Sequence, residues 1–298
     1  MGPRPRALEN LGLKPMARLP DPKFWAGQRV LLTGHTGFKG SWASLWLEQL
    51  GADVQGLALA PVHSPDLYGQ LGAIDRHHAR LLDIADAVAV RAAVTEARPG
   101  LVLHMAAQPL VRASYADPAR TFATNVQGTV NLLDALADTA SAKAILIITT
   151  DKVYRNNGEG RRFVESDPLG GHDPYSASKA AAELATSAYA HSRLAGVPLA
   201  TARGGNVIGG GDWSPDRLVP DVWRALHAAQ PLQLRYPKAT RPWQHVLDCL
   251  SGYFCFLEDL ARAAPPRALN FGPAADDPPL TVADMAEGMA KSLGLAEP

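Results

Sequence analysis

The sequence is poor in cysteine, in charge of either sign and in long apolar runs. Only two cysteines occur in 298 residues. Cys249 and Cys255 lie in one apolar run, LDCLSGYFCFLEDL, at a spacing that puts them on different faces of a helix. No CxxC pair and no Cys/His cluster accompanies them. A disulfide framework and a zinc site are therefore excluded. Both cysteines are expected as small core residues of a protein from a reducing, cytoplasmic compartment. Lys+Arg and Asp+Glu each number 29. That balance excludes the broad positive field of a nucleic-acid-binding protein and confines any basic site to a local cluster. No stretch reaches the roughly 18 consecutive apolar residues of a membrane-spanning helix. The first residues, MGPRPRALENLGLKPMARLPDPKFW, lack the apolar centre of a secretory signal. Arg6 stands where a myristoylation motif needs Ser or Thr. Residues 1–22 are expected to form a loosely held arm, with Met16 as a second candidate start.

What is present is ordinary for a globular enzyme: 47% hydrophobic and 19% charged residues, over a length that allows one large core or two domains. RVLLT (29–33) reads as a buried strand, followed by Gly34-His35-Thr36-Gly37-Phe38-Lys39-Gly40 and the helical run SWASLWLEQLG. Strand, glycine turn and helix open a dinucleotide-binding unit. The glycines let backbone approach a pyrophosphate seated on the helix N-terminus, and Lys39 and His35 could contact phosphate or ribose. The second strand, DVQGLALAP, should end near an acid for the ribose, but it ends in Ala60-Pro61, with Asp66 too far along. No arginine stands there either, so this strand selects neither NAD nor NADP.

Further along, Asp83 closes the short run RLLDI, and Asp86 is placed to cap the helix DAVAVRAAVTEA. LVLHMAAQP reads as a buried strand whose small residues, Ala106 and Ala107, leave room for a ligand or for close helix packing. Residues 118–139 read as one long helix, interrupted in propensity by Asn125 and Gly128. KAILIITTDKVY is a strongly apolar strand with Thr150, Asp151 and Lys152 at its C-terminal end, where ligands bind in open α/β sheets. The alternation predicts a Rossmann-like doubly wound parallel sheet over 23–203, with part of 240–275 returning to it. Residues 204–298 are expected as a small C-terminal substrate region. In it PLATARGGNVIGGGDW gives a strand and a glycine-rich loop, and DRLVPDVWRALHAAQPLQL a helix and a short strand. Beyond them, RYPKATRPWQHVLDCLSGYFCFLEDLARA gives a loop and a helix.

Tyr175-Ser176-Ala177-Ser178-Lys179 puts a phenol and an ammonium on one helix face. The ammonium is expected to favour the phenolate and to let Tyr175 act as a general base near neutral pH. A solvated helix face is the alternative reading of the same spacing.

TGHTGFKGSW (33–42), HMAAQPLVRASY (104–115), TNVQGTVNLL (124–133), TTDKVY (149–154), DPYSASKAAAE (173–183), RGGNVIGGGDW (203–213), RPWQHV (241–246) and NFGP (270–273) occur in this order. Together they resemble the extended short-chain dehydrogenase/reductase family and, within it, the nucleotide-sugar 4,6-dehydratases that act on CDP-glucose. That resemblance implies a bound NAD that is reduced and reoxidised in one cycle, and a role in deoxysugar biosynthesis such as that of lipopolysaccharide O-antigen. It implies that Tyr175, helped by Lys179 and Thr150, takes the C4 hydroxyl proton. Asp151 would then protonate the leaving C6 hydroxyl and Lys152 would remove the C5 proton; an ion pair that only orients the loop is the alternative reading of Asp151-Lys152. The residues matching cofactor positions are Gly34, His35, Thr36, Gly37, Phe38, Lys39, Gly40, Asp83, Ile84, Ala106, Ala107, Gln108, Tyr175 and Lys179. Asn206, Arg217 and Arg241 match sugar-nucleotide positions. A homodimer built on helices 118–139 and 174–193 is implied, with no metal. The chain stops sooner after NFGP than the family pattern does. The competing readings are a 4-epimerase, a dTDP- or GDP-sugar dehydratase, and a non-catalytic nucleotide-binding protein.

Overall fold

A computed structural model describes residues 19–62, 65–72, 78–228, 230–263, 266–274 and 277–292. Most of the expected arm, residues 1–18, lies outside these. Its last residues are held firmly. Asp21 caps the short helix α1 (Pro22–Trp25), its backbone N–H donates to the buried Glu258 carboxylate at 2.7 Å, and its side chain pairs with Arg262 at 3.0 Å.

The chain then alternates. β1 (Arg29–Thr33) leads through the glycine turn into α2 (Phe38–Gln49), and β2 (Asp53–Ala58) into α3 (Leu67–Leu71). β3 (Arg80–Leu81) precedes α4 (Ala87–Ala97), whose first turn is capped by Asp86 as its position implied. β4 (Leu101–His104) is followed by α5 (Val111–Ala116), α6 (Pro118–Phe122), a π-turn over Ala123–Gln127, and α7 (Gly128–Thr139). β5 (Ala144–Thr150) ends in a 3₁₀ turn, Asp151–Val153, and α8 (Pro174–Ala190) follows. Then come β6 (Leu199–Gly204), β7 (Asn206–Ile208), α9 (Leu218–His227), β8 (Trp243–His245), α10 (Val246–Arg262), β9 (Ala268–Phe271) and α11 (Val282–Ser292).

Seven strands form one parallel sheet in the order β3-β2-β1-β4-β5-β6-β9. The order reverses between β1 and β4, which is the Rossmann-like arrangement with its ligand crevice at the carboxyl ends of those strands. Strand alternation supplies both faces. Val30, Leu32, Leu146 and Ile148 pack on one side with Trp25, Leu47 and the apolar face of α10. Leu31, Ile145 and Ile147 pack on the other with Val90, Val94, Leu132 and Leu136. Cys249 and Cys255 are buried on α10 and form no disulfide.

Three local expectations differ from the structure. The run PLQL (231–234) forms no strand. Asn206–Ile208 and Trp243–His245 instead make a small parallel pair, too short for a periodic signal. Residues 118–139 are helical throughout, but the ladder widens at Ala123–Gln127. The cause is Asn125, whose amide clamps the backbone of Gln108, accepting from its N–H at 2.8 Å and donating to its carbonyl at 3.1 Å.

Candidate active site

The glycine turn is built by close approach. Gly34 sits at φ +77°, and a Cβ there would come within 2.8 Å of the Ala106 backbone nitrogen. A Cβ on Gly40 would fall 2.0 Å from the Gly34 carbonyl oxygen. Gly37 opens α2 with no side-chain cap, so the N–H groups of its first turn face outward at the positive end of a twelve-residue helix. Below the turn, Thr33 Oγ1 accepts from the N–H groups of Met105 and Ala106 at 3.1 and 3.0 Å and contacts His104 Nδ1 at 2.6 Å. His104 Nε2 meets Thr129 Oγ1 at 3.0 Å, and that hydroxyl donates to the Asn125 carbonyl. Thr129 therefore accepts from Nε2–H, and Thr33 donates to Nδ1. Burial, aided by the Lys179 charge, drives His104 down to about 3, so it is a neutral strut. The apolar look of strand LVLH gave no sign of this chain.

The other turn residues point in different directions. The His35 ring packs against Gly56 of β2 and lies edge-on to Tyr68, a packing role. Thr36 donates to the Leu59 carbonyl at 2.8 Å. Phe38 touches the space over Gly209. Lys39 lies 5.6 Å over the Tyr253 ring, and burial holds its amine below the usual lysine range. Asp83 accepts from the Ala85 N–H at 2.9 Å and from Arg120 at 2.5 Å. Burial raises its carboxyl, but these two donors together hold it below its ordinary value. Ile84 is buried against Gly128. Ala106 and Ala107 follow β4 directly, and the Gln108 side chain is taken up by Thr121 and the Leu110 N–H.

At the end of β5, Thr150 caps the 3₁₀ turn and donates to Asp151 at 3.0 Å. Lys152 Nζ lies 3.0 Å from the Asp151 carboxylate and 3.4 Å from Asn206 Oδ1. Tyr175, in the first turn of α8, is buried beside them. Burial pushes its phenol up. Lys152, Thr150 and Arg217 pull it down, and Asp151 opposes them. The sequence assigned the pull on Tyr175 to Lys179, and here the geometry differs. Lys179 Nζ donates to the Ile148 carbonyl at 2.9 Å, and burial with the Lys39 charge lowers its own amine to about 7. Lys152 and Arg217 are cations that favour the phenolate, but burial outweighs them and the phenol stays above its ordinary value, against the expectation from the sequence.

The structure thus brings together Thr150, Asp151, Lys152, Tyr175, Asn206 and Arg217, with Lys39 and Lys179 within electrostatic reach. Arg217 precedes α9 and pairs with the buried Asp212 carboxylate at 3.4 Å. Arg241 is exposed and donates to the Thr240 carbonyl. A cavity of about 710 Å³ opens between the Gly209–Trp213 loop, α9 and α11, lined by Trp213, Trp223, Met285 and Met289 among others. Neither Tyr175 nor Lys152 lines it; Asp212 connects it to Arg217. Among the described residues, no group of His, Cys, Asp and Glu could hold a metal ion.

The pattern of one protein family, described as the NAD dependent epimerase/dehydratase family, matches residues 30–272. The chain belongs to that family. A CDP-glucose 4,6-dehydratase of Salmonella typhimurium is 46% identical to it over 266 residues, covering 86% of this chain and 74% of that protein. A dTDP-glucose 4,6-dehydratase of Xanthomonas campestris is 30% identical over 230 residues, 73% of this chain and 64% of the relative. Among solved structures, a Streptomyces venezuelae dTDP-glucose 4,6-dehydratase with NAD and TYD bound superimposes at a TM-score of 0.75, with 26% identity, covering 90% of this chain and 81% of that one. A Thermus thermophilus UDP-glucose 4-epimerase in complex with NAD does so at 0.77, with 27% identity over 90% and 84% of the two chains. Within this family both dehydratases and epimerases are thus similar to the chain, and the groups around Tyr175 must distinguish them.

Proposed function

We propose that the chain is a CDP-glucose 4,6-dehydratase, a hydro-lyase that converts CDP-glucose to CDP-4-keto-6-deoxyglucose and water with a bound NAD. The observation that carries the reading is the Asp151–Lys152 pair, 3.0 Å apart at the end of β5 and beside the buried Tyr175. A 4-epimerase needs Tyr175 but no proton donor and acceptor for water loss. The 46% identity to a CDP-glucose enzyme supports this branch over the dTDP-sugar enzymes at 30%.

The residues present fit a dinucleotide. The uncapped first turn of α2 offers a cradle for a diphosphate, on a tight turn where backbone packs against Gly34 and Gly40 with no room for a Cβ. Asp83 and Ile84 would border the adenosine, Ala106 and Ala107 the nicotinamide side, and Lys179 would reach it from α8. When bound, NAD would supply the hydride acceptor for C4 and the hydride donor for C6.

The chain's own groups do the proton work. Tyr175 takes the C4 hydroxyl proton, with the Thr150 hydroxyl beside it and Lys152 and Arg217 favouring the phenolate. The C4 ketone acidifies C5–H. Lys152 can remove that proton only as a neutral amine. Passing one proton from Lys152 Nζ to the Asp151 carboxylate 3.0 Å away converts the ion pair into the needed amine and carboxylic acid. Asp151 then protonates the C6 hydroxyl as it leaves as water. Arg217 and Asn206 hold the nucleotide sugar.

Phe122 on α6 and Leu184 on α8 are exposed, which supports a homodimer packed through those helices. No helix among the described residues is long and apolar enough to cross a membrane. Two buried cysteines that form no disulfide are in keeping with a reducing, cytoplasmic compartment. Replacing Lys152 by Ala tests the mechanism. C4 oxidation should persist, slowed by the loss of one of the two cations that favour the Tyr175 phenolate, while solvent-deuterium exchange at C5 is lost; exchange at the wild-type rate would remove Lys152 from the role of base.

A further inference from the structure

Tyr154 leaves the Asp151–Val153 turn directly and enters a buried polar network that no step above uses. Glu183 stands two turns beyond Tyr175 on the same helix, and its side chain is 4% exposed; that of Arg203, on β6, is 5% exposed. A buried ion pair of this kind needs every lone pair and proton matched. Arg203 donates through Nε to Glu183 Oε1 at 3.0 Å and through Nη2 to Oε2 at 2.8 Å. Thr149 and Thr201 donate to the same carboxylate at 2.5 and 2.8 Å. The remaining guanidinium nitrogen, Nη1, donates to the Tyr154 hydroxyl at 2.8 Å and to the Glu165 carbonyl at 3.0 Å. Tyr154 in turn donates to Asn270 Oδ1 on β9 at 2.6 Å. Its ring is stacked on Phe163 at 4.7 Å, with the Arg203 guanidinium 5.0 Å from its centre.

A second hold acts at the same place. The Gly170 N–H donates to the Val153 carbonyl at 2.7 Å, and the Arg155 N–H to the Pro168 carbonyl at 2.9 Å. Segment 168–171 is wedged against α8, since a Cβ on Gly171 would lie 2.4 Å from the Ala177 nitrogen. The turn bearing Asp151 and Lys152 is therefore registered to the helix bearing Tyr175 through Tyr154, Arg203 and Glu183.

The geometry points to Tyr154 as a positioning residue for elimination, acting through the Asp151–Lys152 turn and not on the oxidation at C4. This rests on the dehydratase reading. Oxidation uses Tyr175, fixed by α8 itself; Lys152 aids it only through its charge, which tolerates a small displacement that direct proton transfer does not. Water loss uses groups on the turn, whose distance from α8 is set by this network. Releasing one anchor should misplace the turn while leaving the helix where it is.

Tyr154→Phe keeps the ring, its stacking and the Arg203 contact, and removes only the hydroxyl. CDP-glucose is supplied to wild type and variant, and C4 oxidation, C5 exchange with deuterated water and formation of the 4-keto-6-deoxy product are followed separately. Wild-type turnover establishes the underlying reading; its absence would end that reading before the variant is considered. The variant is expected to oxidise C4 within about twofold of wild type, with KM unchanged, and to lose about tenfold in C5 exchange and product formation. Asn270→Ala removes the acceptor of the phenol, together with the donation of Nδ2 to the Phe163 carbonyl at 3.3 Å, and should shift the balance the same way, which keeps the test open if the first variant does not fold. Equal slowing of both halves, or no slowing of either, would overturn the proposal.

Discussion

Lys179 offers a test that needs no substrate. The side chain is 6% exposed, and its Nζ has one described hydrogen bond, to the Ile148 carbonyl. Burial and the nearby Lys39 bring an amine that ordinarily titrates at 10.5 down to about 7, although Glu183 opposes the change. Below pH 7 both the folded and the unfolded chain hold the proton, and the fold bears the full cost of a buried ammonium. Between pH 7 and 10.5 the folded lysine is neutral while the unfolded one is still charged. The unfolded state then binds more protons, so stability rises with pH across that window. With each factor of ten in proton affinity worth about 1.4 kcal/mol, this one group should add about 2–3 kcal/mol to stability from pH 6 to pH 9. Lys179→Met keeps the length of the side chain and removes the titration. Urea unfolding of the nucleotide-free wild type and variant, at half-unit steps of pH, gives the comparison. The wild type should gain on the variant by that amount as pH rises, and the variant should be the more stable of the two at pH 6. Parallel pH profiles would show that Lys179 is not a buried, depressed amine and would refute the electrostatics described for the site.

Three further outcomes follow from the packing. Gly34→Ala places a Cβ against the Ala106 nitrogen at a positive φ, and should cost about 1–3 kcal/mol in thermal unfolding and weaken NAD binding in calorimetry. Glu183→Gln leaves the Arg203 guanidinium buried without its counter-charge, and should lower unfolding free energy by about 3–5 kcal/mol; a loss below about 1 kcal/mol would contradict the closed network. Leu184→Glu on the exposed face of α8 should convert a dimer to monomers in light scattering, and an unchanged mass would place the interface elsewhere.

The glycine turn and the main strands were legible because each carries a local signal. RVLLT and AILIITT are continuous apolar runs, as strands buried on both faces must be, and Gly34 and Gly37 mark the turn between strand and helix. Asp86 announced its cap in the same way. β7 and β8 were not legible, because three residues are too few for a period and their pairing depends on a partner some 37 positions away. The strand read into PLQL failed for the complementary reason: four apolar-rich residues need a neighbour to pair with, and they have none as a strand. Within the site, Tyr175, Thr150, Asp151 and Lys152 were located by motif, and the structure brings them together. The partner of Lys179 was not, since helix spacing fixes which face a residue shares and not which way a long side chain turns. The network behind the site did leave a trace. Arg203 interrupts the apolar strand LATARG, and Glu183 falls in an alanine-rich helix, and charges in such positions are buried only as pairs.

The central claim is that the groups around Tyr175 carry out dehydration of CDP-glucose and not only oxidation or epimerisation. The most direct measurement incubates the protein, with bound NAD assayed at the same time, against a panel of nucleoside diphosphate glucoses, and follows the base-induced absorbance of a 4-keto-6-deoxy sugar. That absorbance is expected with CDP-glucose, and a much weaker signal with the dTDP, UDP and GDP sugars. Conversion to a galactose-configured nucleotide sugar without the 4-keto-6-deoxy signal, or NAD binding with no turnover of any nucleotide sugar, would contradict it.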